Sequence, residues 1–189
     1  MAKVDFKPGN MLYPLPAVLV SVADAQGNDN LFTVAWTGTV CSDPAMVSIS
    51  VRPERFSHHM LRQTGEFVIN LTTEKLAYAT DFCGVRSGRD VDKWKELRLT
   101  RLESKVVKPP RLSESPVNIE CRVEQVIPLG THDLFLAKVV AVSVDDAYMD
   151  EKGSFHLETA DPIVYSHGTY FTMGKPLGKF GFSVKKKKK

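Results

Sequence analysis

Short apolar segments rich in β-branched residues, each bounded by turn residues, recur along this chain and limit its possible folds. Residues 17–23 form one such segment, a cluster of Asp, Asn and Gly follows, and residues 31–40 form the next, which predicts a hairpin. In residues 47–51, Val and Ile alternate with Ser, which is typical of a half-buried strand. The pattern predicts a mainly β protein.

Further strands are expected at residues 66–71, 118–127, 133–144 and 162–165. A short helix is predicted from a cap at Ser57 to Gly65, and a second from Thr72 or Thr73 to Phe82. Because the strands do not alternate with long helices, a doubly wound sheet is excluded. The fold class that remains is a β-barrel with short flanking helices.

The positive charge of the chain lies mostly at its end. The formal net charge is +3, but without the five lysines 185–189, 20 basic residues face 22 acidic ones. Nucleic-acid binding usually needs a basic surface that runs along the phosphate backbone, and one short run of lysines is not such a surface. We therefore expect no nucleic-acid binding. We expect one domain over residues 1–189, with 185–189 as a disordered basic tail.

The three cysteines are far apart and odd in number, which argues against a disulfide framework and favours the cytoplasm. Two of them lie in apolar sequence and are predicted core residues. Residues 1–10 lack the apolar core of a signal peptide. The longest apolar stretch, residues 15–22, is too short to span a membrane.

Several common sites are missing from the sequence. It has no Rossmann or P-loop glycine motif, no His-Glu-x-x-His, no Cys-x-x-Cys and no Gly-x-Ser-x-Gly. We therefore expect no metal site.

A candidate anion site lies in residues 30–57, which are rich in small hydroxyl groups. Arg52 and Arg55 flank the helix expected to begin at Ser57. A helix N-terminus beside guanidinium groups suits a phosphate. The alternative is that the serines form the solvated face of a strand and the arginines are surface charges.

Several short motifs follow one another along the chain in a fixed order and spacing. These motifs are Asn-x-x-Thr-x-Ala-Trp-x-Gly (30–38), Cys-Ser-Asp-Pro (41–44), Ile-Ser-Val-Arg (49–52), Phe-Ser-His (56–58), Thr-Gly-Glu-Phe-Val-Ile-Asn (64–70), Cys-Gly (83–84), Ser-Gly-Arg-Asp-Val-Asp-Lys (87–93), Gly-Thr-His (130–132) and the Gly-rich segment 174–182. In their order and spacing they resemble the flavin reductase-like family, FMN-binding split barrels that include flavoredoxin. The resemblance covers roughly residues 13–183.

The resemblance implies a six-stranded split barrel, a homodimer and non-covalent FMN near the dimer interface. Carried over position by position, it implies cofactor-binding roles for residues of the first half of the chain. These are Ala35, Trp36, Thr37, Cys41, Ser42, Ser50, Val51, Arg52, Phe56, Ser57, Asn70, Ser87 and Lys93. The alternative for each is a purely structural role, such as core for Trp36 or a turn for Asn70.

His132 is the expected catalytic residue, as a contact to the nicotinamide or its ribose, with a structural hydrogen bond as its alternative. Where the family often has Gly-Asp-His, this chain has Gly-Thr-His at 130–132. Where the family often has Gly-Glu-Val, it has Ala-Lys-Val at 137–139. The aspartate that the family often has before this histidine is therefore replaced by Thr131 in this chain.

The resemblance implies an NAD(P)H-dependent flavin oxidoreductase that transfers hydride from NADH or NADPH to the flavin. Lys93 is a candidate to stabilise negative charge at the flavin N1–C2=O edge. Two alternatives stay open: a flavoredoxin-like electron carrier reduced by a partner protein, and an FMN-binding protein without redox turnover. The sequence leaves the choice of nucleotide and the electron acceptor undetermined.

Overall fold

The computed structural model describes residues 1–184; the lysine tail predicted at 185–189 lies outside the described residues. The strands, in chain order, are β1 (Leu15–Pro16), β2 (Val18–Ala23), β3 (Asp29–Val34), β4 (Thr37–Ser42), β5 (Ala45–Val51), β6 (Glu66–Asn70), β7 (Arg101–Leu102), β8 (Arg111–Leu112), β9 (Val117–Pro128), β10 (Asp133–Val144), β11 (Ile163–Ser166) and β12 (Thr169–Thr172). The α-helices are α1 (Phe56–Thr64), α2 (Ala77–Val85) and α3 (Lys93–Glu96). Short 3₁₀ helices cover Glu74–Leu76, Asp146–Tyr148, Leu157–Ala160 and Phe182–Val184.

Seven antiparallel strands form the main sheet, in the order β3-β2-β6-β9-β10-β5-β4. The long hairpin of β9 and β10 lies at its centre, with two register shifts that mark bulges. Bulges bend a strand and increase its twist, which helps a sheet to curl. A three-stranded sheet of β1, β11 and β12 and a two-stranded sheet of β7 and β8 accompany it.

The two edge strands of the main sheet, β3 and β4, are neighbours in the chain and are joined only by residues 35 and 36. This short link brings the edges together and closes one end of the sheet into a barrel. The Thr37 amide donates to the Ala35 carbonyl at 3.0 Å, a tight turn that interrupts the ladder. The single strand predicted at 31–40 is therefore two strands, and the sheet has seven strands where six were expected.

Strand β2 is buried along its whole length because both of its faces meet apolar groups. Val18, Val20 and Val22 point into the barrel core, together with Phe67 and Phe135. Leu19 points the other way, into a second cluster formed with α2 and α3 that includes Trp94 and Leu112. The continuous apolar sequence of β2 reflects this double burial.

The first helix begins two residues earlier than predicted. Its cap position is Arg55, which makes no side-chain capping bond, so Ser57 is the second residue of α1 and the predicted Ser57 cap is wrong. The helix ends as expected at Gly65, which adopts the left-handed conformation at φ 64°. No helix within residues 1–184 is long and apolar enough to cross a membrane.

Candidate functional site

A cavity of about 810 Å³ opens between the N-terminus of α1, the segment after α2 and the turn between β9 and β10. Ten of the fourteen predicted site residues line it. They are Ala35, Trp36, Ser50, Val51, Arg52, Phe56, Ser57, Ser87, Lys93 and His132.

Three predicted residues on β4 do not line this cavity. The Thr37 hydroxyl donates to the Ser48 carbonyl at 2.8 Å, within the hairpin of β4 and β5. The Cys41 thiol lies 3.4 Å from the Asp43 carbonyl, and Ser42 is exposed next to it. The break at residues 35 and 36 carries β4 to the edge of the sheet, and these three side chains leave the cavity with it.

Asn70, also a predicted cofactor residue, lies in the core instead of the cavity. Its amide nitrogen donates to the Leu19 carbonyl at 2.9 Å, and its oxygen accepts from the Leu112 amide at 2.9 Å and the Asn118 amide at 2.8 Å. These bonds tie β6 to β2, β8 and β9, so the donors and acceptors of Asn70 are occupied by protein.

The N-terminus of α1 has free donors that face the cavity. Within residues 1–184, the backbone N–H groups of Phe56 and Ser57 have no hydrogen-bond acceptor, and no side chain caps the helix. The buried Ser57 hydroxyl accepts a bond from Asn30 at 2.7 Å, which fixes its orientation. Unpaired N–H groups at the start of a helix beside a cavity are typical of sites that bind anions.

Four arginines surround this end of the cavity: Arg52, Arg55, Arg86 and Arg89. Arg55 donates to the Gly84 carbonyl at 3.0 Å, and Arg89 lies over the Phe56 ring at 5.7 Å. Arg52 forms an exposed ion pair with Glu54 at 3.2 Å. The positive charge exceeds what the nearby Glu54 neutralises, so the rim favours an anion.

Lys93 brings a buried ammonium group to the cavity wall. Lys93 is only 2% exposed, and its Nζ donates hydrogen bonds to the carbonyls of Leu31 at 2.8 Å and Cys83 at 3.0 Å. No carboxylate among residues 1–184 pairs with it, and burial lowers its pKa from 10.5 to about 8. Because an ammonium has three N–H groups, one donor is left for a ligand.

Trp36 and His132 add two flat rings to the lining of the cavity. Their ring planes differ by 1°, and their centroids lie 6.4 Å apart. The Thr131 hydroxyl and His132 Nδ1 are 2.9 Å apart, so Nε2 is the imidazole nitrogen left for a ligand. Parallel aromatic surfaces of this kind suit a planar ring system.

Other wall residues were not assigned from the sequence. A Cβ at Gly88 would lie 2.5 Å from Asn30 Oδ1 and 2.6 Å from the Phe56 ring, so glycine allows this loop to pack against α1. Tyr165 and Tyr170 also line the cavity, and burial and Asp81 raise the pKa of Tyr170 to about 12. The Ser-Gly pair at 87–88 could have indicated the glycine, but no local signal marks the tyrosines.

The expectation of buried cysteines is confirmed for Cys83 and Cys121. Burial raises the pKa of the Cys83 thiol to about 11 and that of the Cys121 thiol to about 12. Both thiols are therefore protonated near neutral pH and poorly nucleophilic, although Cys83 lines the cavity.

The flavin reductase like domain family matches residues 11–174 of this chain. The chain belongs to this family. A protein of Archaeoglobus fulgidus is 32% identical over 141 residues, which cover 75% of this chain and 78% of the relative. Flavoredoxin of Desulfovibrio vulgaris (Miyazaki F) is 26% identical, with a TM-score of 0.90 over 97% of this chain and 100% of that one.

The split-barrel fold has a further match. A protein of Shewanella frigidimarina NCIMB 400 with a split barrel domain aligns at a TM-score of 0.80, covering 89% of this chain and 86% of that chain at 23% identity. The predicted fold class and family are thus confirmed, and the family supports a flavin cofactor.

Proposed function

We propose that this protein is an FMN-binding NAD(P)H:flavin oxidoreductase. The observation that carries the proposal is one cavity that combines a helix N-terminus with free donors, a buried ammonium and two parallel aromatic rings. A flavin mononucleotide has matching parts: a phosphate, a polar ring edge and a flat ring system. Membership of the flavin reductase like family supports the same conclusion.

In this proposal the phosphate end of the cofactor lies at α1. The N–H groups of Phe56 and Ser57 donate to the phosphate, and Arg52 and Arg89 add charge-assisted bonds. The helix dipole adds a partial positive charge at the same place. These groups bind and orient the cofactor without taking part in the redox step.

At the ring end, Trp36 offers a flat surface, and the free N–H of Lys93 serves the N1–C2=O edge. A positive charge there stabilises the electron density that this edge gains on reduction. His132 Nε2 hydrogen-bonds the nicotinamide or its ribose and holds the donor in place. The redox chemistry itself would be supplied by bound FMN, with NADH or NADPH as the hydride donor.

Anaerobic stopped-flow mixing tests the function. FMN-loaded protein is mixed with NADH and, separately, with NADPH, while the visible flavin absorption band is recorded. We expect rapid bleaching with at least one nucleotide. His132→Ala should slow bleaching about tenfold, because it removes one hydrogen bond to the nicotinamide nucleotide, and it should leave FMN uptake unchanged. His156→Ala, which changes an exposed histidine away from the cavity, is the matched control.

A flavoredoxin-like electron carrier is the second candidate, favoured by the fold similarity to flavoredoxin over almost the whole chain. In that case neither nucleotide bleaches the flavin, but a reduced ferredoxin does. A protein that takes up FMN and is reduced by none of these donors would be an FMN-binding protein without turnover. A protein that takes up no FMN contradicts all three proposals.

We also propose that the protein is a homodimer. The apolar side chains of Leu177 and Phe180 in the C-terminal segment are almost fully exposed to water. Contact with a second copy of the chain would bury them. Analytical ultracentrifugation should give twice the chain mass of 21.1 kDa. The single domain, the redox partner protein and the cytoplasmic location stay predictions.

A further inference from the structure

One hydrogen-bonded pair of side chains near the cavity is not explained by the proposed function. His58 Nε2 and Asp133 Oδ2 lie 2.8 Å apart, and their side chains are only 13% and 15% exposed. The chain has five histidines. His156 also contacts carboxylates, but at an exposed site. Holding two partly buried side chains in one geometry costs conformational entropy, so the place of this pair in the fold needs a reason.

The pair joins two elements that each carry part of the cavity wall. His58 follows Ser57 in the first turn of α1, and Asp133 is the first residue of β10, directly after His132. The backbone of Asp133 is held on both sides, because it pairs with Val51 of β5 and Pro128 of β9. Asp133 is therefore the fixed partner, and α1 is the element that it positions.

The surroundings of His58 also restrict its ring. The ring meets the fully buried Phe135 edge-on, with centroids 5.5 Å apart and planes at 75°. Phe135 lies two residues after Asp133 on the same strand, so both side chains lie on the face of β10 that looks into the barrel. The imidazole is thus fixed by a hydrogen bond at its edge and by apolar packing.

The first turn of α1 is held by contacts from three directions. Asn30 of β3 donates to the Ser57 hydroxyl at 2.7 Å, and Gly88 packs closely against Phe56. The bond between His58 and Asp133 adds the third, from β10. The free N–H groups of Phe56 and Ser57 lie within this turn, so their direction depends on these three contacts.

We propose that Asp133 and His58 are positioning residues for the anion site at the N-terminus of α1. The pair fixes the first turn of the helix against the barrel, and so fixes the direction of the free N–H groups toward a phosphate. Neither side chain contacts the phosphate. The inference rests on the proposed FMN site and adds to it two residues that do not line the cavity.

Comparing FMN with riboflavin tests this inference without any measurement of activity, because riboflavin lacks the phosphate. Affinities are measured by quenching of flavin fluorescence on apoprotein. His58→Phe keeps an aromatic ring against Phe135 but cannot donate a hydrogen bond. We expect it to weaken FMN binding about five- to tenfold, the effect of about one ordinary hydrogen bond, because the N–H groups of the first turn are no longer held in direction. Riboflavin affinity should stay within about twofold.

Two further variants separate positioning from general damage. Asp133→Ala should reproduce the loss for FMN, and the double variant should be no weaker than either single one, because both remove one bond. His58→Gln should restore FMN affinity, since its amide N–H can replace the imidazole donor. His156→Phe, at the exposed histidine, is the matched control and should change neither affinity.

Equal losses for FMN and riboflavin in His58→Phe and Asp133→Ala would overturn the inference, as would unchanged FMN affinity or a failure of His58→Gln to restore it. These results leave the FMN site itself intact, because wild-type protein still prefers FMN to riboflavin. A wild-type protein that binds both flavins equally would contradict the phosphate site, and the inference with it.

Discussion

Replacing Lys93 by methionine removes the buried ammonium while keeping a side chain of similar length and shape. In the folded apoprotein, burial lowers the pKa of Lys93 from 10.5 to about 8, which corresponds to about 3 kcal/mol of unfavourable desolvation for the charged form. Methionine removes this cost. It also leaves the carbonyls of Leu31 and Cys83 without their donor, at about 1–3 kcal/mol each. The two effects oppose each other, so the stability of the apoprotein should change little.

The effect on a bound flavin should be larger. A hydrogen bond from a charged donor contributes about 1.5–3 kcal/mol, and the reduced ring gains electron density at its N1–C2=O edge. Lys93→Met should therefore lower the two-electron midpoint potential of bound FMN by about 30–60 mV. FMN affinity should also fall, because the oxidised ring loses a weaker form of the same bond.

The midpoint potential is measured by equilibration of FMN-loaded protein with redox dyes, and the affinity by fluorescence titration. Lys95→Met is the matched control, because Lys95 lies on the same short helix but is exposed. We expect this control to keep the wild-type potential. A Lys93→Met protein with unchanged potential and affinity would refute the argument that Lys93 serves the flavin, and would assign it to structure alone.

Three further predictions concern stability and the anion site. Between pH 8 and 9, the unfolded chain keeps Lys93 protonated while the folded protein releases that proton, which adds about 1 kcal/mol to apoprotein stability. Over the same pH range the unfolded thiols of Cys83 and Cys121 begin to ionise while the folded thiols stay protonated, which offsets most of this gain. In urea titrations the wild-type stability should therefore rise only slightly, whereas the stability of Lys93→Met, which keeps only the thiol effect, should fall. Arg52→Ala should weaken FMN binding up to about fivefold, a modest loss because the side chain is 52% exposed, whereas Arg62→Ala at the other end of α1 should leave the titration curve unchanged. Gly88→Ala should lower the melting temperature and weaken FMN binding at least tenfold. The new methyl group must displace Asn30 or Phe56, at a cost of about 1–3 kcal/mol. Wild-type affinity for FMN in this variant would contradict the close packing of Gly88.

The strands were largely predictable because their signals are local. The predicted strand 133–144 coincides with β10, and alternating Val, Ile and Ser predicted β5. The break between β3 and β4 was missed, because residues 31–40 are uniformly apolar or β-branched and only closure of the barrel requires a turn there. The start of α1 was misplaced by the assumption that a serine must cap it.

The position of a residue at the cavity could be predicted where a motif places it by backbone position, as for Ala35, Trp36 and Ser57, whose binding roles stay predictions. The position could not be predicted where tertiary hydrogen bonds decide where a side chain lies. From the sequence, Asn70 is a candidate for a turn or for cofactor binding. In the structure, hydrogen bonds to three other strands hold it in the core. The pair of His58 and Asp133 joins residues 75 positions apart, a separation that no local pattern reveals.

We infer that this cavity holds FMN by its phosphate at the N-terminus of α1. Titration of wild-type apoprotein with FMN and with riboflavin under the same conditions, followed by flavin fluorescence, tests this directly. We expect one FMN per chain, bound at least about tenfold more tightly than riboflavin, because the phosphate supplies one or more charge-assisted bonds. Equal affinities for the two flavins, or no uptake of either, would contradict it.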